Sequence, residues 1–345
     1  MKRNFFITFI LLFSGTFFFS SFSLPEDESP HAHRFEYATM FGSPLIPADN
    51  PLTEEGIWLG RLLFYDGQLS VTGKISCGSC HQQKLFFTDG LPLAIGVHGD
   101  TLKRNTMSLI NLAWDKNFYW DGRDTSIEQV VRDHISNQRE MGGLSEKELV
   151  VRLKSHKYYP GLFKLAFPKD TISMYTVSKA IAQFTRVIVS NFKETEETYK
   201  KTPGGMNNRD WLNEETKTAS GVRMALMQCK SCHGKPAGEK LAFYTDGVKY
   251  KAPSLVNIRY TAPYMHDGRF KSLKDVLLFY NLNLDDVKQK NPHLVEGQEL
   301  SAAFTKYDIE HADELFDNDA DVSIITNVAY SNPFNQKGFT WNMPK

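Results

Sequence analysis

Cys77-Gly-Ser-Cys80-His81 and Cys229-Lys-Ser-Cys232-His233 are two copies of one pattern, and together they use all four cysteines of the 345-residue chain. Cys-x-x-Cys-His is how c-type haem is attached: the thiols become thioethers, and the adjacent histidine gives an axial nitrogen to the iron. Two plainer readings exist. Four thiolates can hold one tetrahedral zinc, and a single Cys-x-x-Cys can act as a redox pair. Neither explains why a histidine follows both pairs, or why the pairs stand some 150 positions apart. The expectation is two covalently bound haem c groups on Cys77, Cys80, His81, Cys229, Cys232 and His233, with His81 and His233 as proximal iron ligands.

The N-terminus agrees with that chemistry. Lys2 and Arg3 precede an apolar run from Phe5 to Phe19 and then Ser20, Ser21 and Ser23, which reads as a secretory signal peptide over residues 1–23. The run is shorter than the ~20 apolar residues of a spanning helix, and no cysteine follows it to carry a lipid. The mature protein is expected to be exported and periplasmic, without a stable membrane anchor. Lys+Arg and Asp+Glu each number 40, so nothing in the charge points to nucleic acid. Residues 24–45 read as a polar segment, disordered from Leu24 to about Arg34, in which His31 and His33 are solvated.

The chain repeats itself. Phe86-Phe-Thr-Asp-Gly90 after the first motif matches Phe243-Tyr-Thr-Asp-Gly247 after the second, and Ser108-Leu-Ile-Asn111 matches Ser254-Leu-Val-Asn257. Trp120-Asp-Gly-Arg123 then matches His266-Asp-Gly-Arg269. The predicted fold is mainly α, with two cytochrome c-like domains from an internal duplication and one haem in each. Their expected bounds are 46–200 and 201–330, followed by a tail, 331–345, lying on the surface. Helical spacing of apolar residues covers 54–64, 146–153, 178–192 and 216–227, and the charged, Gly-rich stretch 193–211 reads as a linker. The halves also diverge. Gly90 to Ser108 spans eighteen positions against seven from Gly247 to Ser254, and the extra loop carries His98. The repeat offset places Tyr280 opposite His134.

Taken together, Leu59-Gly-Arg-Leu-Leu-Phe64, the first haem motif, Arg104-Asn105, Phe118-Tyr-Trp-Asp-Gly-Arg123, Glu140-Met-Gly142, Ala252-Pro-Ser-Leu255 and Thr261-Ala-Pro-Tyr-Met-His-Asp-Gly-Arg269 resemble the bacterial di-haem cytochrome c peroxidase family, including its MauG branch. The resemblance spans nearly the whole mature chain. It implies that the N-terminal haem meets hydrogen peroxide and that the C-terminal haem takes electrons from a small cytochrome c or blue-copper protein. It also implies a calcium ion between the domains and a homodimer.

Residue by residue, Glu140 resembles the proton carrier of the peroxide site; the plainer reading is a surface glutamate at a helix end. His98 resembles the histidine that caps the first iron at rest, on a Gly-flanked loop able to move, or else is an exposed loop residue. His134 competes with it for the first pocket; the family more usually has proline there, and often glutamine where this chain has Val130. Tyr280 stands where peroxidases carry a methionine iron ligand and the MauG branch a tyrosine. Otherwise it is a core aromatic, and Met265 or His266 ligates the second iron. Trp120 resembles the tryptophan relaying electrons between the haems, or is a buried aromatic. By resemblance, calcium would take Asn105 and the carbonyls of Thr261 and Pro263.

These residues lead to an exported di-haem oxidoreductase with cytochrome c peroxidase activity. A first rival oxidises a partner protein through high-valent haems, as MauG does; Tyr280 favours it, and His98 as a ligand would oppose it. A second rival is a non-enzymatic di-haem electron carrier, which would need neither Glu140 nor unequal halves.

Overall fold

In this computed structural model the described residues are 29–35, 42–190, 233, 241–243, 248–283, 285, 289, 304–313, 316 and 321–342. In chain order the helices among them are α1 (Glu54–Tyr65), α2 (Cys77–Cys80), α3 (Ile127–Ser136), α4 (Glu146–Ser155), α5 (Tyr159–Ala166), α6 (Met174–Arg186), α7 (Leu273–Leu282) and α8 (Lys306–Glu310). One antiparallel pair joins β1 (Leu241–Phe243) to β2 (Lys249–Lys251). The fold is mainly helical, as the apolar spacing predicts. The expected signal peptide, the 193–211 linker, the 216–227 helix, Cys229 and Cys232 lie outside the described residues.

Thr53 caps α1 by accepting a hydrogen bond from the Gly56 N–H, and Glu54 and Glu55 complement the dipole of the first turn. The inward face (Leu59, Leu62, Leu63, Phe64) is fully buried, worth ~1.5–3 kcal/mol for each such side chain. It packs on α6, whose Val177, Ala180, Ile181 and Phe184 are equally buried. A Cβ on Gly60 would come 1.9 Å from the Ala180 carbonyl oxygen, so glycine sets how closely these helices cross. The apolar pattern predicts α6 four residues late at each end or more. A capping box of Ser173 and Thr176 starts it at Met174, and it ends at Arg186.

Helix α3 is pinned to α6 by a buried ion pair. The Arg186 guanidinium donates to both oxygens of Glu128 at 2.7 and 2.9 Å, and the Asn50 amide adds a third bond at 2.6 Å. Burial alone would raise the Glu128 pKa, but the Arg186 bonds and charge outweigh it and hold it at about 2. A second, smaller core gathers Tyr264, Leu273, Leu277, Ala312 and Phe316 around α7 and α8.

Two expectations are corrected here. The tail is not an arm on the surface. Within it Phe334, Phe339 and Trp341 pack against the first half's core, as does the preceding stretch 322–330, expected in the second domain, through the fully buried Ile324 and through Tyr330. Arg61 on α1 donates to the Val328 and Ser331 carbonyls, Tyr65 to the Tyr330 carbonyl at 2.5 Å, and Gln83 to those of Ile324 and Asn327. His31 and His33 are not merely solvated either: their Nδ1 atoms meet Glu55 and Glu54 at 2.5 and 2.8 Å, and Ala32 bridges to Thr53.

Candidate haem and peroxide site

His81 follows directly on α2, and its Nδ1 is bonded to the Phe87 carbonyl at 2.9 Å. That bond fixes the tautomer and leaves Nε2 as the donor nitrogen. Burial pushes the His81 pKa down to about 4, further than the Phe87 carbonyl lifts it, so the imidazole is neutral and ready to ligate a metal. Cys77 and Cys80 are not joined in a disulfide. Burial and the neighbouring Cys80 push the Cys77 thiol up to about 12; burial, Asp89 and Glu140 push Cys80 to about 11. Two thiols outside any disulfide beside a neutral imidazole are the donor set that a covalently attached haem uses. All three residues line one mostly apolar cavity of about 590 Å³, within the ~300–1,000 Å³ of sites that enclose a ligand of this class. The residues present fit a covalently held haem.

The same cavity is lined by Phe64, Tyr119, Trp120, Val130, His134 and Glu140. His134 stands on the last turn of α3 and Glu140 on the turn that follows, and His134 Nδ1 bonds Glu140 Oε2 directly. The backbone holds Glu140 in place: Val97 N–H donates to its carbonyl at 3.0 Å, and its own N–H reaches the Asn137 side chain at 3.4 Å. His134 lies close enough to His81 to help depress its pKa. His98 is exposed on the turn at 96–99 and is not among the cavity's lining residues. The structure therefore brings Glu140, His134 and Trp120 together with the first motif and leaves His98 outside.

Two cavity residues escaped the sequence reading. Tyr119 packs 5.4 Å from the His134 ring and carries the Arg123 guanidinium 3.4 Å above its own. Its signal was its place in the repeat, opposite Met265; both take a left-handed backbone (φ 62° and 74°). Lys251 is buried and ion-paired to Asp115 across the two halves. Nothing in a lysine beside Ala252-Pro253 announces a partner 136 positions away.

Trp120 sits at the junction of the halves. Its Nε1 donates to the Asn105 carbonyl at 2.8 Å, the Asn105 N–H to the His266 carbonyl at 2.9 Å, and the Lys251 N–H to the Trp120 carbonyl at 2.7 Å. The Trp120 ring lies edge-on to His266 at 6.5 Å, and His266 stacks on Tyr250 at 4.2 Å. The Asn105 amide nitrogen donates to the Leu91 carbonyl at 2.9 Å. Among the described residues no three His, Cys, Asp or Glu side chains form a metal cluster.

In the second half His233 repeats the arrangement of His81. Its Nδ1 bonds the Pro253 carbonyl at 2.7 Å, and burial lowers its pKa. The matched motifs share local geometry: Asn111 and Asn257 are both left-handed (φ 64° and 59°) before a short 3₁₀ turn, and Phe118–Asp124 and Tyr264–Phe270 form equivalent bridges. Ser126 and Ser272 cap α3 and α7 alike. Tyr280 is half-buried on the last turns of α7, edge-on to Phe279 at 5.9 Å.

The family model for di-haem cytochrome c peroxidase matches residues 54–201. The methylamine utilization protein MauG of Methylorubrum extorquens is 33% identical over 256 residues, covering 68% of this chain and 70% of that protein. Cytochrome c551 peroxidase of Nitrosomonas europaea is 27% identical, covering 67% and 74%. Among solved structures, a MauG-like protein associated with microbial copper homeostasis superposes with a TM-score of 0.70 at 26% identity, covering 88% of this chain and all of that one.

Proposed function

This chain belongs to the di-haem cytochrome c peroxidase family, which includes MauG, and we propose that it is an exported two-domain enzyme reducing hydrogen peroxide to water with electrons from a small cytochrome c or blue-copper protein. The observation that carries the reading is a single cavity holding Cys77, Cys80 and His81 together with the bonded pair His134 and Glu140.

Family membership implies two haem c groups. The first would be held by Cys77, Cys80 and His81, the second by Cys229, Cys232 and His233, and each supplies an iron centre able to exchange electrons when bound. The chain's own residues do the rest. Glu140 takes a proton from HOOH and returns it to the departing oxygen, so two electrons and two protons yield two waters. His134, bonded through Nδ1, aims that carboxylate and shares its proton. Trp120 bridges the halves through the Asn105 and Lys251 backbone, which suits a relay for electrons entering at the second site. A calcium ion on Asn105, Thr261 and Pro263 would stiffen the segment whose carbonyl holds the Trp120 indole. Two similar halves fused in one chain, with matching histidine environments, support one haem in each and an origin by duplication.

A second reading, oxidation of a partner protein as in MauG, is favoured by Tyr280 near the end of α7 and by His98 lying outside the cavity. Stopped-flow absorbance of the diferric holoprotein with stoichiometric peroxide separates the two. Reaction only after one-electron reduction, followed by turnover with a reduced cytochrome, supports the peroxidase. Immediate reaction with a long-lived spectral change and no turnover supports the MauG-like activity. No reaction in any redox state leaves an electron carrier and refutes both.

A further inference from the structure

Tyr159 is a buried phenol with no part in the chemistry above. Its ring is fully buried at the start of α5, and its hydroxyl donates to Asp66 Oδ2 at 2.6 Å. Asp66 is itself buried and follows Tyr65, the last residue of α1. The Tyr65 ring lies against the first haem motif: a Cβ on Gly78, between the two cysteines, would fall 2.4 Å from it. On its other side Tyr159 meets an aromatic cluster. Trp341 stands edge-on at 5.5 Å, His156 contacts both rings at 4.7 Å, and Tyr158 stacks on Trp341 at 5.0 Å. Tyr158 is 38% exposed. Tyr159 is thus joined through Asp66, the residue next to Tyr65, to the edge of the motif, and oxidisable rings run from Tyr159 through Trp341 to the surface at Tyr158, with one proton acceptor at their inner end.

We propose that Tyr159 and Asp66 form a proton-coupled redox pair, through which oxidising equivalents left at the first site by peroxide leave for the surface through Trp341 and Tyr158. The proposal rests on the reading that peroxide is reduced at the Cys77–His81 site. Each transfer balances. Tyr159 loses one electron toward the first site as its O–H bond breaks, and the proton moves to Asp66 Oδ2, leaving a neutral tyrosyl radical. An electron from Trp341 then restores the phenol as the proton returns from Asp66. A one-electron donor at the exposed Tyr158 edge refills Trp341; without a donor, the two oxidising equivalents of one peroxide are spent on a single ring, indole or phenol, which gains an oxygen from water as two protons leave. Burial, then the neighbouring Asp66, holds the Tyr159 pKa well above the usual phenol range, so the phenol is protonated at rest and must shed its proton as it loses its electron. Tyr65 cannot serve equally, because its hydroxyl is bound to the Tyr330 carbonyl, which is a poor base.

The test uses the diferric holoprotein, mixed with one equivalent of peroxide without donor, freeze-quenched and read by electron paramagnetic resonance, with peptide mass spectrometry of the same sample. The expected result is a tyrosyl signal narrowed by ring-deuterated tyrosine, with oxygen added in a fraction of molecules at Trp341 or at Tyr158. Tyr159→Phe and Asp66→Asn should each lose that signal and the labelled adducts. Asp66→Asn keeps the side chain's size and one acceptor oxygen while removing the base, and as a change at a second position it guards against a folding artefact at position 159. Signal and adducts unchanged in both variants would overturn the pair. So would a wild type that shows no tyrosyl radical yet turns over peroxide with a donor, and in that case the reading of the first site stands. A protein that consumes no peroxide at all sinks both.

Discussion

Replacing Glu128 with glutamine tests how the cavity's α3 wall is held. In the native protein the carboxylate answers the buried Arg186 guanidinium and the Asn50 amide. Its pKa is lowered from 4.5 to about 2, and at ~1.36 kcal/mol per unit this is about 3 kcal/mol of stability at neutral pH. Glu128→Gln leaves Arg186 charged and unanswered in the interior, for which breaking a buried pair costs ~3–5 kcal/mol. The two routes agree, and a first half of this size should lose on the order of 10 °C in Tm. The pH dependence carries the sharper test. A depressed carboxylate stabilises the fold above its unfolded pKa, and that contribution disappears as pH falls through the folded one. The gap between wild type and variant should thus be full at pH 7 and close between 4.5 and about 2, where the native glutamate also becomes neutral. Thermal unfolding followed by circular dichroism across that range measures it. A gap under ~1 kcal/mol at pH 7, or one that stays constant into acid, refutes the assignment.

Further outcomes are expected. Glu140→Gln should slow the reaction with peroxide by ~10²–10⁴-fold while leaving two haems attached, as stopped-flow and intact mass would show. Cys80→Ala with His81→Ala should yield protein carrying one haem by mass, with the second site's spectrum intact. Gly60→Ala forces a methyl group to 1.9 Å from the Ala180 carbonyl; overpacking of this kind costs ~1–3 kcal/mol, visible in denaturant midpoints. Trp120→Phe removes the indole donor to the Asn105 carbonyl and should slow reduction of the first site through the second, without displacing either haem's absorption bands.

What the sequence disclosed were the features with short range. The grouping of Cys77, Cys80 and His81, the α1 and α4 helices and the paired Trp120 and His266 turns rest on local spacing or internal repetition, and both survive in a linear string. The partnership of His134 with Glu140 was half visible: each was a candidate alone, but their bond depends on the turn of chain between α3 and α4. His98 and His134 competed for one role because loop geometry has no linear signature. The Lys251–Asp115 pair and the Tyr159–Asp66 bond join residues 136 and 93 positions apart. Such contacts are set by tertiary docking, which neither composition nor periodicity encodes.

The return of residues 322–342 across α1 and beside Gln83 has a bearing on how the molecule is assembled. Synthesis runs from N- to C-terminus, so Cys77, Cys80 and His81 are made long before the strap that buttresses them. Until residues 322–342 arrive, Arg61, Tyr65 and Gln83 lack their carbonyl partners, and the first half has an open flank. Residues 322–342 close that flank after the rest of the first half has been made. Residues 42–190 by themselves would therefore lack the partners of Arg61, Tyr65 and Gln83, whereas a chain that places residues 322–342 ahead of α1 would supply them.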